Sequence, residues 1–199
     1  RMKCKHNVLN LQALSVLRNM PIKVGVLGGS FDPAHDGHLM ISKQALDFYH
    51  FDRIIWLVAN QNPFKPKQGN DCYLRAQQAA DIAKYDSRII VSTVERELGT
   101  FYTYQSMELL VKRFRHVKFT WLMGIDNLLD FRKWYRFSEL IKICEIIIFD
   151  RPNTNRLINV GSILPNSQPN LDKTQKNHII VHRGKLLDLS STMIRECKQ

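Results

Sequence analysis

The sequence predicts an α/β protein built on a doubly wound parallel sheet. Short runs rich in Val, Ile, Leu and Phe alternate along the chain with longer segments in which apolar residues recur every three or four positions. This alternation is typical of strands joined by crossover helices. The length of 199 residues suits one domain of ordinary size, and 44% hydrophobic residues suffice for a normal globular core. Disordered and collagenous classes are therefore excluded.

The β-rich runs predict six strands, at residues 23–27, 54–59, 88–94, 117–123, 145–149 and 178–182. The segments of helical period predict crossover helices at residues 37–49, 72–85, 104–114 and 137–143. Residues 151–176 are crowded with Pro, Asn, Ser, Gln and Gly, which indicates a long irregular connection. We expect one domain over residues 23–199, preceded by an extension at residues 1–22.

The extension at residues 1–22 is expected to be frayed or packed on the surface. It contains basic residues and some leucines, but Asn10 and Gln12 interrupt its apolar stretch, and no small-residue cleavage site follows before Arg18. A targeting peptide would need an unbroken apolar segment and such a site. The apolar runs of the whole chain are also far shorter than the roughly 20 residues that a membrane-spanning helix requires.

Charge and cysteine usage restrict the partners and the compartment. The 29 basic and 18 acidic residues give a net charge of +11, which would attract nucleic acid, acidic lipid or a multiply charged anionic substrate. The charge alone does not choose among these. The four cysteines are scattered without a CxxC pair, which argues against a zinc site and a disulfide framework and favours a reduced, cytoplasmic setting.

The most informative segment is the turn at residues 28–38, which reads GGSFDPAHDGH and joins the first predicted strand to the first predicted helix. Gly28 and Gly29 would let the backbone approach a ligand closely. The helix that follows presents unpaired N–H groups and a positive dipole end, so the turn suits a phosphate. Its spacing differs from both the GxGxxG dinucleotide fingerprint and the P-loop.

His35 and His38 stand three residues apart at the start of that helix, so their rings are expected to lie side by side. Two imidazoles there could stabilise the charge of one phosphate chain. A metal site is the alternative, but HxxH is a weak signal because no third ligand stands at a recognisable spacing.

The string His35-Asp36-Gly37-His38 resembles the (H/T)xGH signature of the nucleotidyltransferase superfamily, and the longer string around it is similar to bacterial nicotinate-nucleotide adenylyltransferases. A second segment, SSTMIR at residues 190–195, resembles the SSTxIR motif of that family. The resemblance implies a Rossmann-like fold of the HxGH type. It also implies that ATP is held by the turn, by a GxD segment and by the SSTxIR segment, namely by Gly28, Gly29, Ser30, Phe31, His35, His38, Gly124, Asp126, Ser190, Ser191, Thr192 and Arg195.

Further matches concern the acceptor nucleotide. Residues 133–135 read KWY, similar to the family's KW segment, whose tryptophan stacks on the nicotinate ring, and residues 102–103 match the YT of its SYTxDT segment. Gln105 replaces the usual Asp of that segment. Lys65 follows Asn62-Pro63-Phe64 where many members have PPHK, so the family's histidine is missing. The resemblance implies that nicotinate mononucleotide contacts Asp32, Lys65, Thr103, Trp134 and Tyr135.

The resemblance therefore implies an adenylyltransferase that joins AMP from ATP to nicotinate mononucleotide, with Mg²⁺ on the triphosphate. His35, His38, Lys65 and Arg195 are the expected catalytic residues. Two alternatives stay open at this point. One is the same chemistry on another acceptor, such as nicotinamide mononucleotide or phosphopantetheine. The other is an RNA-binding module, which the basic charge allows but no recognised RNA-binding motif supports.

Overall fold

Seven strands form one parallel sheet in the computed structural model, which describes residues 8–9, 22–60, 71–150 and 179–182. They are β1 (Val8–Leu9), β2 (Ile22–Gly29), β3 (Arg53–Val58), β4 (Ile89–Ser92), β5 (Val117–Gly124), β6 (Glu145–Phe149) and β7 (Ile179–His182). Their order across the sheet is β1-β4-β3-β2-β5-β6-β7, and every neighbouring pair is parallel. The α/β doubly wound class predicted from the alternating pattern is confirmed.

The helices cover both faces of this sheet. They are α1 (Asp36–Tyr49), α2 (Cys72–Ala83), α3 (Val94–Leu98), α4 (Thr103–Arg113), α5 (Leu128–Phe131) and α6 (Phe137–Ile143). Apolar residues of α1 and α2 share one buried cluster with the sheet, and those of α3 to α6 share the other. Strands buried on both faces explain why the β-rich runs are almost continuously apolar. None of the described helices has the length and apolar character needed to cross a membrane.

The chain reverses direction across the sheet at β2. From β2 it runs through β3 to β4 on one side, and it then returns to β5, which pairs with the other side of β2. In open α/β sheets, ligands bind outside the carboxyl ends of the strands where such a reversal occurs. The ends of β2 at Gly29 and of β5 at Gly124 therefore mark the expected binding crevice.

Most predicted elements are found close to their predicted bounds, but the end of β4 and the extension differ from the prediction. The strand predicted at residues 88–94 ends at Ser92, because the Ser92 hydroxyl accepts the Val94 N–H and the chain turns into α3. The extension at residues 1–22 was expected to be frayed or surface-packed, yet Val8–Leu9 pairs with Val91 and Ser92 and extends the sheet by one strand. Ile22 also lies in β2 rather than in the extension.

The end of β2 is shaped by the indole ring of Trp121 on the neighbouring strand β5. A methyl group on Gly28 would lie 2.0 Å from Trp121 Cη2 and 2.6 Å from Cζ2. The ring therefore occupies the space that any side chain at this position would need. Gly28 was predicted to let the backbone approach a ligand closely, and the structure shows that it is also needed to make room for the Trp121 ring.

Gly28→Ala should destabilise the fold by roughly 1–3 kcal/mol, because the buried Trp121 ring cannot move aside without strain. Urea denaturation measures this loss. Gly29→Ala is the matched control, since its new methyl group would meet only the Phe31 ring at an ordinary 3.5 Å. Equal stability of the two variants would contradict the packing explanation.

Candidate active site

The two histidines of the turn cap helix α1. His35 is the N-cap residue, and its Nδ1 accepts the Gly37 backbone N–H at 3.1 Å. In return, His38 Nδ1 accepts the His35 backbone N–H at 3.2 Å. This reciprocal arrangement is a capping box in which imidazoles replace the usual hydroxyl and carboxylate. It places the two ring centroids 3.9 Å apart, which confirms the side-by-side geometry predicted from the spacing.

The capping box also sets the tautomer of both rings. A neutral imidazole has one nitrogen that accepts and one that carries hydrogen. Because Nδ1 accepts a backbone N–H in His35 and in His38, the hydrogen of each neutral ring is assigned to Nε2. The site thus contains two neighbouring N–H donors, on rings tilted by 43°, at the amino end of a helix, where the dipole favours negative charge.

Aromatic packing fixes the His38 ring from behind. Its centroid lies 4.7 Å from the ring of Phe31 and 5.8 Å from that of Trp56, and these two rings stack on each other at 5.2 Å. The Trp56 indole N–H donates to Ser42 Oγ at 2.7 Å, and this hydroxyl donates to the His38 carbonyl at 2.8 Å. Phe31 is fully buried. Its φ is +50°, so the turn has a left-handed backbone conformation that few residues other than glycine adopt without strain.

A buried arginine ties the loops at the carboxyl end of the sheet together. Arg75 of α2 is 6% exposed, and its guanidinium donates to the carbonyl of Ser30, which follows β2. It also donates to the carbonyls of Ala59 at 2.7 Å and Asn60 at 3.2 Å, which follow β3. Sequence analysis did not single out Arg75, because it looks like any polar residue of an amphipathic helix.

Glu95 of α3 is the second buried charged group that sequence analysis missed. Its Oε2 accepts the Asn60 N–H at 3.1 Å, and its Oε1 accepts the Ser106 hydroxyl at 3.0 Å. Burial raises the pKa of Glu95 to about 7, against the lowering effects of these two hydrogen bonds and of the Arg75 charge. Carboxyl groups with a pKa displaced this far are concentrated at functional sites.

The end of β5 contributes the predicted GxD segment beside the turn. Gly124 is the last residue of β5, and Asp126 lies in the short 3-10 turn that follows and is exposed to solvent. Since β5 pairs directly with β2, this segment and the turn at residues 28–38 lie at adjacent strand ends, on the two sides of the crevice.

Trp134 and Tyr135 lie between the core and the surface. The Trp134 ring is half-buried and packs edge-on against Trp121 at 6.1 Å and Phe131 at 5.2 Å. Since Trp121 fills the space beside Gly28, Trp134 is joined to the turn through a single intervening ring. Tyr135 is 45% exposed, and its ring lies 4.7 Å from that of Tyr102.

Thr103 is the first residue of α4, so its backbone N–H is among those that have no acceptor within the helix. An amino terminus of this kind suits a carboxylate. Gln105, which stands where the resembled family has Asp, has a local role here, because its side-chain oxygen accepts the Phe101 N–H at 3.4 Å. With Gln in place of Asp, the side chain at position 105 accepts a hydrogen bond that fixes the chain just before α4.

The described residues therefore bring together the turn, the GxD segment and, through Trp121, the KW segment. Asp32 and Ser30 lie in the turn itself, each partly buried, and the bond between Asp32 and Pro33 is cis. The predicted residues Lys65, Ser190, Ser191, Thr192 and Arg195 lie outside the described residues. Within the described ranges, no three His, Cys, Asp or Glu side chains are grouped as a metal site would require.

Comparison with known proteins identifies the family. The cytidylyltransferase-like family model matches residues 26–197. A protein of Parvibaculum lavamentivorans named "Probable nicotinate-nucleotide adenylyltransferase" is 41% identical over 131 residues, which are 66% of this chain and 65% of that protein. The match thus spans just under two thirds of that relative's length. A protein of Pelagibacter ubique with the same name is 33% identical over 180 residues, covering 90% of this chain and 96% of its own.

Solved structures show the same fold. The nicotinic acid mononucleotide adenylyltransferase of Plasmodium falciparum complexed with NaAD superposes with a TM-score of 0.67 over 88% of this chain and 83% of its own, at 17% identity. The same Plasmodium protein complexed with APC gives equal values. At this identity the likeness establishes the Rossmann-like nucleotidyltransferase fold that the motifs implied.

Glu95→Gln should remove part of the pH dependence of stability. Between pH 4.5 and 7 the folded protein holds a proton on Glu95 that the unfolded chain, with an ordinary carboxyl pKa, has lost. Stability therefore falls as the pH rises through this range. The free energy of unfolding of the wild type relative to the variant should drop by roughly 3 kcal/mol between pH 4.5 and 8.

Urea denaturation across this pH range measures the difference. Glu97→Gln is the matched control, because Glu97 lies on the same helix but is exposed. Parallel pH curves for the wild type and Glu95→Gln would show that the Glu95 carboxyl does not titrate near neutral pH.

Proposed function

The chain belongs to the cytidylyltransferase-like family and, within it, to the nicotinate-nucleotide adenylyltransferases, and we propose that it joins the AMP moiety of ATP to nicotinate mononucleotide. The products are deamido-NAD and pyrophosphate, and the reaction is a step in NAD biosynthesis. The observation that carries this proposal is the pair of imidazoles locked by the capping box at the amino end of α1, at the point where the sheet reverses.

The chemistry needs positioning and charge stabilisation more than a covalent enzyme intermediate. A phosphate oxygen of nicotinate mononucleotide attacks the α-phosphorus of ATP, a new P–O bond forms, and the bond to pyrophosphate breaks. The Nε2–H groups of His35 and His38 donate to the phosphate oxygens on which negative charge develops. The positive dipole end of α1 favours the same phosphates. Lys65 and Arg195, which we expect to clamp them further, stay predictions.

Magnesium is proposed to arrive with ATP. Mg²⁺ is usually held by substrate phosphates with one or two carboxylates rather than by a dedicated protein cage, so the residues of this site suit a metal carried on the triphosphate. When bound, it would shield the charge of the leaving pyrophosphate. The net charge of +11 serves the same end, since both substrates are anions.

The acceptor is proposed to lie against α4 and the KW segment. The Thr103 N–H would hold the nicotinate carboxylate, and the Trp134 face would attract the pyridinium ring beyond simple area burial. Tyr135 and Asp32 are expected to border this nucleotide. The half-buried state of Trp134, with its edge packed on Trp121, supports a ring that is fixed in place yet accessible on one side. A cytoplasmic location stays a prediction from the scattered cysteines.

His38→Ala should lower turnover by about 10²-fold, because it removes a donor aimed at developing negative charge. Pyrophosphate release from MgATP is measured with nicotinate mononucleotide, nicotinamide mononucleotide and phosphopantetheine in parallel. The wild type should be fastest with nicotinate mononucleotide. His116→Ala is the control, since His116 is exposed at the amino end of β5, the opposite edge of the sheet from the crevice.

The outcomes separate the parts of the proposal. Near wild-type turnover in His38→Ala would overturn the catalytic assignment. Preference for another acceptor would preserve the adenylyl transfer and refute the roles of Thr103 and Trp134. Tight RNA binding, with no release of pyrophosphate from ATP in the presence of any of the three acceptors, would favour the RNA-binding module instead.

Trp134→Ala should raise the KM for nicotinate mononucleotide by about tenfold while leaving the KM for ATP unchanged, since the cation–π attraction is worth about 1–2 kcal/mol when desolvated. Trp134→Phe retains a smaller aromatic face and should give an intermediate KM. Steady-state kinetics with each substrate varied in turn provides both constants. Equal KM values in all three proteins would exclude stacking on the pyridinium.

A further inference from the structure

Glu95 has no part in the mechanism above, yet it connects the loop after β3 to helix α4 at the carboxyl end of the sheet. The side chain is 5% exposed. One oxygen accepts the N–H of Asn60, just after β3, and the other accepts the hydroxyl of Ser106, in the first turns of α4. The carboxylate therefore fixes the distance between the loop that follows β3 and the amino end of α4.

The contacts around Ser106 extend this connection along α4. Ser106 is fully buried, and its Oγ lies 2.9 Å from Thr100 Oγ1, while the Thr100 N–H donates to the Glu95 carbonyl at 2.9 Å. The loop between α3 and α4 is thereby held at both ends. Thr103 and Ser106 lie about one turn apart in the same helix. The hydrogen bond that holds Ser106 in place therefore also restrains the Thr103 N–H.

We propose that Glu95 is a positioning residue that holds the amino end of α4 in the place from which the Thr103 N–H binds the carboxylate of the acceptor nucleotide. This inference rests on the proposed function. A hydrogen bond from N–H to carboxylate weakens steeply with distance and angle, so a small displacement of α4 lowers acceptor affinity. ATP is proposed to lie on α1 and the turn, neither of which is hydrogen-bonded to the Glu95 side chain.

The charge of Glu95 has a counterpart in Arg75, the charged group of α2 that faces it. Arg75 is itself buried and anchored on the carbonyls of Ser30, Ala59 and Asn60. Both residues thus hold the backbone at Asn60, one through its N–H and the other through its carbonyl. Alanine at position 95 would remove the acceptor of the Asn60 N–H and break the hydrogen bond to Ser106, so α4 would lose this link to the loop after β3.

Steady-state kinetics of Glu95→Ala provides the test, with ATP and nicotinate mononucleotide each varied in turn. The KM for nicotinate mononucleotide should rise roughly tenfold or more, as for other small misplacements of a binding group, while the KM for ATP stays at the wild-type value. A variant that was only less stable would lose active enzyme and hence apparent kcat, without a selective change in one KM.

Two further variants make the test independent of how well Glu95→Ala folds. Glu95→Gln can still accept the Asn60 N–H through its amide oxygen and donate to Ser106 Oγ, so its KM for the acceptor should stay near wild type. Ser106→Ala removes one of the two links and should raise that KM to a value between those of the wild type and Glu95→Ala. Glu97→Ala, exposed on the same helix, is the matched control and should not change either KM.

The outcomes distinguish this inference from the proposed function. If the wild type releases pyrophosphate with nicotinate mononucleotide but Glu95→Ala and Ser106→Ala keep its KM, the positioning role is overturned and the proposed function stands. A rise in both KM values by the same factor would also overturn it, because α1 would then be affected equally. If the wild type shows no such activity, the proposed function fails and the positioning role fails with it.

Discussion

The close contact between β2 and its neighbours is the constraint on which the rest of the site depends. Gly25 and Gly28 have no side chains, and their space is filled from opposite faces of the sheet. Leu122 and Ile54 fill it at Gly25, and Trp121 fills it at Gly28. The central strand β2 can therefore pack closely against β3 and β5 at the point where the chain reverses. The turn that follows β2 leads directly into the amino end of α1.

The histidine pair shows how one arrangement can serve both folding and chemistry. Each Nδ1 satisfies a backbone N–H that the start of a helix would otherwise leave unpaired. The same bonds assign the hydrogen to Nε2 and hold the rings 3.9 Å apart. Stability of the turn and orientation of the two imidazole N–H donors thus have a common cause.

The features that depend on neighbouring residues could be predicted from the sequence, whereas the contacts between distant residues could not. The strand and helix pattern, the turn and the pairing of His35 with His38 all depend on residues close together in the chain. Arg75 and Glu95 were missed because their partners are far away, Ser30 being 45 positions from Arg75 and Asn60 being 35 from Glu95. The pairing of Val8–Leu9 with β4 was missed for a further reason, since two residues carry no periodic signal.

The cost of burying Glu95 explains why its connection is informative about function. A carboxyl whose pKa is raised to about 7 is charged at neutral pH only at the expense of folding stability. An apolar side chain would avoid that penalty, but it would leave the Asn60 N–H without this acceptor and would remove the link to Ser106. A carboxylate accepts from both at once, and it balances the buried charge of Arg75. Stability is therefore lost at the place where the loop after β3 and the amino end of α4, which begins at Thr103, are held at a fixed separation.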